Sequence, residues 1–222
     1  MRKLVTGIVA SAVLALSANA QVLRFDGIAV GNGTAPIGNF YNGGGGPANN
    51  FGITFFGNAL AINSSAGNCG GGGNFAQQPS GCGALFFLSG SQTGMNRTAG
   101  FQTGFSLFYT AVSQAGSVGV WSGLNGTGTL LATLLLPTTG DGGNVPGCEG
   151  TNFCPFRAVG IGFAGTAQSV VFAGVADQIA FDNITFGAVV PEGVVPEPST
   201  YALMLTGLAG LAAARRRRAS RN

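Results

Sequence analysis

The chain contains no histidine and few charged residues. Its 222 residues include 10 Lys and Arg, 7 Asp and Glu and 0 His, and charged residues make up 8% of the sequence. Without histidine the chain has no Ser-His-Asp triad, no Cys-His pair and no His-ligated metal site of its own. The few acids are scattered, and no two of them stand out as the facing carboxylates of a glycosidase. We therefore expect a protein that is not an enzyme.

Basic residues are scarce in the body of the chain, although the whole sequence has a formal net charge of +3. Of the 10 basic residues, 7 lie near the two ends of the sequence. Between residues 21 and 195, 3 arginines stand against 6 acids, which leaves a net charge of −3. A nucleic-acid-binding domain needs a basic face. Nucleic acid is therefore excluded as a partner.

Residues 1–20 have the order of a secretory signal peptide. Arg2 and Lys3 precede an apolar stretch over 4–16, and Ala18-Asn19-Ala20 supplies the small residues of a cleavage site. This order predicts that signal peptidase cuts before Gln21 and that the body crosses the inner membrane. A retained transmembrane helix is the alternative, but the apolar stretch is short for one.

The body is rich in both glycine and apolar residues. The sequence has 40 Gly and 17 Phe, and 45% of its residues are hydrophobic. Disordered chains lack the apolar surface to offset their conformational entropy, so we expect residues 21–190 to fold into one domain of short strands and glycine-rich turns. The predicted strands are 22–25, 53–56, 59–63, 84–88, 104–112, 117–121, 129–136, 157–163, 169–173 and 178–186.

Ten short strands without helices predict an all-β fold, an antiparallel β-sandwich that is jelly-roll-like. Residues 122–128 contain the turn pair Asn125-Gly126 and predict a hairpin. The glycine runs 43–46 and 70–73 predict flexible loops. A phosphate-binding loop is the alternative, but it requires a following helix with a lysine, which neither run has.

The apolar pattern of the last strand changes phase at Asp182. Ile179 and Phe181 share one parity, whereas Ile184 and Phe186 share the other. Side chains alternate between the two faces of a strand, so the change predicts a bulge at this aspartate and the asparagine after it.

Asp26 follows the first predicted strand, and Asp182 lies in the last one. This layout resembles that of jelly-roll carbohydrate-binding modules, which often hold a structural calcium ion with acids from their terminal strands. The resemblance implies a calcium site at Asp26 and Asp182, and carboxylate oxygens suit Ca²⁺. Two edge or turn carboxylates without a metal are the alternative. We expect no other cofactor.

The four cysteines form two close pairs in the sequence, Cys69 with Cys82 and Cys148 with Cys154. An even count suits the oxidising compartment that an exported protein reaches. Local pairing is the simplest of the three possible connectivities, and each bridge is expected to contribute on the order of 2–3 kcal/mol. A zinc site of four thiolates is the alternative, but the spacing and the compartment suit it poorly.

The C-terminal residues have a three-part order. A linker over 191–198 contains Pro196-Glu197-Pro198, an uncharged apolar run follows over 199–214, and Arg215, Arg216, Arg217 and Arg218 begin a basic tail at 215–222. The prolines keep the glutamate out of a helix interior. The apolar run predicts a transmembrane helix about 24 Å long at ~1.5 Å per residue, which is short for a hydrocarbon layer of about 30 Å. The arginines hold that end in the cytoplasm.

This tail resembles the PEP-CTERM sorting signal of exported bacterial proteins. The resemblance implies processing by an exosortase, a membrane transpeptidase that cuts near the Pro-Glu-Pro and releases or transfers the body. The protein is then expected to be anchored transiently in the inner membrane and to reach the cell surface or the extracellular space. A plain tail anchor with a chance Pro-Glu-Pro is the alternative. Residues 105–109, 122–128, 153–156 and 181–187 also resemble a group of exported PEP-CTERM proteins, which implies a sandwich fold and no catalytic residues.

Two functions remain open. The first is a structural or interaction protein of the extracellular matrix, associated with exopolysaccharide. The second is a carbohydrate-binding module with a structural calcium site. Sugar binding usually needs exposed aromatic side chains, and Trp121 is the single tryptophan. It ends a predicted strand before a polar turn, where either an exposed or a core position is open to it.

Overall fold

The computed structural model describes residues 21–148, 150–193 and 205–208. In these ranges ten β-strands form the fold, and three single-turn 3-10 helices at Phe40–Asn42, Pro47–Asn49 and Leu124–Gly126 connect some of them. The strands are β1 (Gln21–Leu23), β2 (Thr34–Pro36), β3 (Ile53–Gly57), β4 (Leu60–Asn63), β5 (Gly83–Phe86), β6 (Gln92–Ala111), β7 (Gly116–Trp121), β8 (Leu130–Leu136), β9 (Arg157–Ala173) and β10 (Ile179–Phe186).

The predicted all-β, antiparallel fold is confirmed, and the main differences concern strand length. The two predicted strands 157–163 and 169–173 are parts of one strand, β9, and the predicted strand 104–112 is the second half of β6. The first half of β6 has a polar sequence with two glycines, and this hides its strand character. β2 escaped prediction because it has three residues and ends in Pro36.

The long strands β6 and β9 take part in two layers. The first half of β6 pairs with β3 and its second half with β10, while β9 runs beside β6 along both halves. Beyond the register shifts at residues 96–103, the C-terminal part of β9 pairs with β7 on its other side. The two layers make a β-sandwich, and hydrogen bonds along β6 and β9 join them into one ten-stranded sheet with β2 and β8 at its ends.

Phenylalanine side chains fill the space between the layers. Phe172 belongs to β9 and Phe181 to β10, and their ring centroids lie 4.9 Å apart although the two residues are not paired in the sheet. Phe105 of β6 contacts both Phe172 and Phe186, at 6.3 and 5.7 Å between centroids. All four rings are buried. Because a buried Phe stabilises by about 1.5–3 kcal/mol, the phenylalanine-rich composition supplies the core of the sandwich.

Two local predictions are confirmed. Residues between β7 and β8 form a hairpin connection in which Asn125 has a φ of 55°, a conformation that asparagine adopts more readily than most residues. In β10 the register with β6 shifts between Asp182 and Thr185, and Asn183 has a φ of 45°. The bulge changes which side chains face the core. Every residue of β10 is nevertheless buried, so something must cover the outer face of this strand.

Several predicted features lie outside the described residues. They are the signal peptide 1–20, the motif Pro196-Glu197-Pro198, the basic tail 215–222 and all but residues 205–208 of the membrane helix predicted over 199–214. Residues 205–208 are helical. Within the part of the chain that the structure describes, no helix has the length and apolar character needed to cross a membrane. The cleavage site at Gln21 and the membrane helix remain predictions.

Candidate functional site

A cavity of about 300 Å³ lies on the outer face of the layer that contains β4, β5 and β10. Its floor is apolar and includes Ile62 of β4, Phe86 of β5 and Ala180 of β10. Because side chains alternate along a strand, the neighbouring Leu85 and Phe181 point to the opposite side and belong to the main core. The floor residues form a second, smaller hydrophobic cluster. Ile179, at the start of β10, is the one described lining residue that also belongs to the main core, and the rest of the cavity lies outside that core.

Two loops closed by disulfide bonds stand beside this floor. Cys69 is bonded to Cys82, and Cys148 is bonded to Cys154. Both pairings are the ones predicted from the sequence, and they replace the alternative of a four-thiolate zinc site, because no cysteine is free. In the chain-entropy picture, each bridge stabilises the fold because it lowers the conformational entropy of the unfolded chain. In the folded protein, each bridge also holds the two ends of a glycine-rich loop together. The cavity therefore has covalently restrained walls.

The two loops bind each other through Phe75 and Phe153. These residues form an isolated parallel bridge, in which the Phe153 N–H donates to the Asn74 carbonyl at 3.1 Å and the Ala76 N–H donates to the Phe153 carbonyl at 3.4 Å. Both rings line the cavity, where Phe75 is buried and Phe153 half-buried. The Phe75 ring also meets the ring of Phe156 edge to face, with centroids 5.9 Å apart. The aromatic wall is built jointly by the two loops.

The glycine run at 70–73, predicted as a flexible loop, forms part of this wall. The Gly71 N–H donates to the Ser64 carbonyl at 2.9 Å, and the Gly73 N–H donates to the Asn63 carbonyl at 2.8 Å. A Cβ atom on Gly73 would lie 2.4 Å from Cε1 of Phe75, well inside van der Waals contact. Only glycine permits this close approach. Backbone atoms therefore line this side of the cavity.

The polar groups of the lining are Asn74 and Asp177. The Asn74 amide is held by Asn152, because its Nδ2 donates to Asn152 Oδ1 at 2.6 Å and its Oδ1 accepts the Asn152 N–H at 3.1 Å. Asp177 is exposed, and its backbone N–H donates to the Phe87 carbonyl at 2.8 Å. Among the described residues that line the cavity, Asp177 alone is charged. The cavity thus combines an aromatic wall, an apolar floor and one carboxylate.

The residues of this cavity are not marked by any strand pattern in the sequence. Phe75 and Phe153 stand in glycine-rich and polar surroundings, without the alternation that marks a strand. A signal for them does exist in the sequence, because each lies between the two cysteines of a closely spaced pair. An aromatic residue in a disulfide-closed loop is held in place by the bridge, and this is a useful property for a binding wall.

Trp121, the candidate aromatic platform, lies elsewhere. It ends β7 in the other layer and is half-buried. Its indole Nε1 is inaccessible to solvent and has no hydrogen-bond partner among the described residues. Trp121 therefore does not belong to the cavity and does not offer an exposed indole face with a free polar edge.

The two acids predicted to bind calcium, Asp26 and Asp182, meet beside the first disulfide loop. Asp26 Oδ1 accepts the backbone N–H groups of Cys82 and Gly83 at 2.7 and 2.9 Å. Asp182 is fully buried, and its Oδ2 accepts the Ser80 hydroxyl at 3.3 Å. The pKa of Asp182 is raised to about 8, mainly by burial and in smaller part by the negative charge of Asp26, while hydrogen bonds from Asn183 and Ser80 act in the opposite direction.

Oxygen atoms at this position fit the preferences of calcium. Besides the two carboxylates, Asn183 Oδ1 lies here, where it accepts the Ser80 hydroxyl at 2.6 Å. Calcium takes carboxylate, amide and carbonyl oxygens in irregular arrangements. In the described ranges no group of three or more His, Cys, Asp or Glu side chains comes together. Two carboxylates would therefore need amide, hydroxyl or backbone oxygens to complete the site, and the calcium ion stays a prediction.

Residues 194–218 match the PEP-CTERM protein-sorting motif. The match includes the Pro-Glu-Pro and the four arginines that the sequence analysis singled out. The chain is thus an exported protein with a C-terminal, membrane-anchoring sorting signal of the PEP-CTERM type. The motif describes 25 of the residues and leaves the role of the body open.

No curated protein matches the chain significantly. Solved structures to which the chain is similar include CsCBM6-3 from Clostridium stercorarium in complex with cellobiose, at 17% identity over 60% of this chain and 86% of that chain, with a TM-score of 0.37. A β-1,3-glucan binding CBM6 from Bacillus halodurans is 15% identical over 58% and 95% of the two chains, with a TM-score of 0.35. The K2 cleaved adhesin domain of Lys-gingipain is 13% identical over 76% and 99%, with a TM-score of 0.47. At these scores the similarity does not extend to a function.

Proposed function

We propose that this protein is an exported component of the cell surface or extracellular matrix that attaches to exopolysaccharide through the cavity between its disulfide loops. The PEP-CTERM motif supports delivery across the inner membrane, transient anchoring there and processing by an exosortase. The cavity, with its aromatic wall and single carboxylate, carries the binding part of the proposal. A matrix protein without sugar affinity of its own, with a purely structural or interaction role, is the alternative.

The chemistry of the lining favours a neutral sugar. A pyranose ring has an apolar C–H face that packs against an aromatic ring, and Phe153 is the half-buried ring on the wall. The hydroxyls of the same ring are donors for a carboxylate, and Asp177 supplies one at the cavity. An acidic sugar would be repelled by this carboxylate and by the net charge of −3 on the body. Neutral hexopyranoses are therefore the expected ligand class.

The size of the cavity sets the length of sugar that it accepts. A volume of about 300 Å³ stands at the lower end of the range of small-molecule sites. One or two sugar rings fit such a volume, whereas a longer chain would extend beyond it. A single carboxylate also favours binding over hydrolysis, because glycosidases require two. We propose recognition of a chain end or a side branch, without cleavage.

The predicted calcium ion has a structural role in this proposal. Asp26 and the bulge residues Asp182 and Asn183 contact residues 80–83 at the base of the first disulfide loop. An ion held by these oxygens would tie the first turn of the domain and β10 to the loop that carries Phe75. Calcium would then stabilise a wall of the cavity without touching the sugar.

A binding experiment on the exported, processed protein tests the proposal. We expect a glycan array to show binding to neutral hexose oligosaccharides, and titration calorimetry to give sub-millimolar affinity for one or two rings. Asp177→Asn should weaken binding about tenfold or more, since a hydrogen bond to a charged group contributes roughly 1.5–3 kcal/mol. Phe153→Ala should weaken it to a similar degree through the lost ring contact.

Glu192→Gln is the matched control. It removes one negative charge from an exposed side chain that pairs with Arg24 and does not line the cavity, and an exposed ion pair contributes little to stability. We expect wild-type affinity for this variant. Absence of binding by the wild-type protein to every neutral sugar tested would overturn the proposal, as would equal affinity of Asp177→Asn and wild type for the bound sugar.

A further inference from the structure

Strand β8 forms one end of the sheet and has a single strand neighbour. In the described part of the chain β8 pairs with β7 along its length and with no other strand. Its sequence is Leu-Leu-Ala-Thr-Leu-Leu-Leu, without charge, proline or glycine. An edge strand presents backbone N–H and C=O groups on its free side, and these groups can pair with another strand.

The strand at the other end of the sheet is built differently. β2 has three residues and ends in Pro36. Short length and proline are two devices by which proteins prevent edge strands from pairing with other chains. β8 has seven residues and shows neither device. The two ends of the sheet are therefore not equivalent, and of these two strands only β8 offers a long free edge, which is regular over 132–136 and interrupted at Leu131 by a register shift against β7.

Charged residues, which also protect edges, are missing around β8. The sequence has no Asp, Glu, Lys or Arg between residues 98 and 140, or between 158 and 176. These segments contain β8, its neighbour β7 and the part of β9 that pairs with β7. Two copies of this edge can approach each other without repulsion between like charges. A partner that depends on charge complementarity finds no charged group here.

The side chains of β8 divide into an inner and an outer face. Leu134 and Leu136 pack toward the core, so the strand is firmly part of the sandwich. Leu130 and Leu135 are 45% and 73% exposed. These exposed leucines lie on a strand whose outer edge has no partner, and they form an apolar surface whose exposure to water is unfavourable.

We propose that β8 pairs in antiparallel fashion with β8 of a second copy of this chain, about a two-fold axis. In a register centred on Leu134, Thr133 stands opposite Leu135 and Ala132 stands opposite Leu136. Exposed residues then face exposed residues and inner residues face inner ones, as a continuous sheet requires. Such an interface is self-complementary and closes as a dimer. The second copy is the expected occupant because the edge carries no charge and its pattern of exposed and inner residues matches itself in this register.

The dimer does not depend on the sugar-binding proposal. The cavity lies over β4, β5 and β10 in the other layer, so both cavities stay open when two β8 strands pair. Two cavities on one particle would raise the apparent affinity for a polymer by linkage of the two binding events. Pairing itself is a property of the edge alone and is measured without sugar.

Sedimentation velocity on the exported, processed protein tests the pairing. We expect a concentration-dependent monomer–dimer equilibrium, with slower amide exchange over 130–136 in the dimer than in the monomer. Leu135→Lys places a charge on the exposed edge, and it should raise the dimer dissociation constant tenfold or more. Thr34→Lys places the same charge on the exposed side of β2, the opposite edge, and should leave the dissociation constant unchanged.

Unfolding by urea is the control for the fold, and we expect both variants to have wild-type stability because the substituted side chains are exposed. The proposal is overturned if the wild-type protein is monomeric throughout the accessible concentration range, including the case in which it pairs only with another exported protein. It is also overturned if Leu135→Lys dimerises as strongly as wild type, or if exchange slows at 34–36 and not at 130–136.

Discussion

The buried carboxyl of Asp182 predicts an unusual dependence of stability on pH. This carboxyl is fully buried, and its pKa is raised to about 8 from the 3.8 of an exposed aspartate. Between these values the native protein keeps the proton while the unfolded chain releases it. The native state therefore binds more protons than the unfolded state, and the free energy of unfolding must fall as pH rises. The stabilisation is complete below about pH 4 and is lost as pH passes through about 8.

The size of the effect follows from the pKa difference. Each pH unit in this window changes the free energy of unfolding by about 1.4 kcal/mol. From pH 5 to pH 8 the loss is about 4 kcal/mol at most, since relaxation around a buried charge reduces it. Whole domains have stabilities of about 5–15 kcal/mol, so the loss is a large share. Without a cation beside Asp182, the protein should be markedly weaker at pH 8 than at pH 5.

The composition reduces the number of other groups that contribute to the pH dependence of stability. The chain has no histidine, so few other groups titrate between pH 5 and 8. We would record urea unfolding of the exported protein at several pH values in this window, in the presence of a chelator. The matched variant is Asp182→Asn, which keeps an oxygen to accept the Asn183 N–H that Asp182 Oδ1 accepts at 2.7 Å. Its unfolding free energy should be nearly independent of pH.

Calcium provides the second arm of this experiment. An ion bound by Asp26 and Asp182 stabilises the ionised form of the native state, so excess calcium should raise the unfolding free energy most at pH 8. The raise should be absent in Asp182→Asn. A wild-type protein whose stability is flat from pH 5 to 8 in chelator would refute the reasoning about the buried carboxyl. A steep slope that calcium leaves unchanged would refute the calcium site alone.

Three further predictions concern processing and the disulfides. The mature protein should begin at Gln21, which intact-mass measurement of exported material checks; a retained residue 1 would contradict the signal-peptide assignment. Glu197→Ala should still insert but remain at the inner membrane in a host with a working exosortase, whereas deletion of 215–218 should weaken membrane retention and orientation. Fractionation followed by mass spectrometry of the C-terminal peptide separates these outcomes, and release of Glu197→Ala like wild type would count against recognition of the motif. Replacement of Cys148 and Cys154 by serine should lower the unfolding free energy by roughly 2 kcal/mol and should weaken sugar binding, and unchanged stability in urea would show that this bridge does not restrain the loop.

Features that depend on the order of neighbouring residues could be predicted from the sequence. Export and sorting depend on short linear segments that processing enzymes read in an extended chain, so residue order is sufficient for them. The hairpin at Asn125 and the pairing of nearby cysteines depend on contacts that are close in sequence. The bulge at Asp182 forms against a distant strand, but a local change in the apolar pattern marks it. Alternation of apolar residues marked most strands for the same reason.

Features that need distant residues were decided by the tertiary structure. β6 and β9 run through both layers, and nothing local in their sequences states which half belongs to which layer. Phe75 and Phe153 are 78 residues apart and form one wall only because their loops cover the same outer face of β10. Asp26 and Asp182 meet only because the first strand pairs with the last. Local propensity sets which residues form strands, whereas the pairing of strands across the chain sets which side chains share a site.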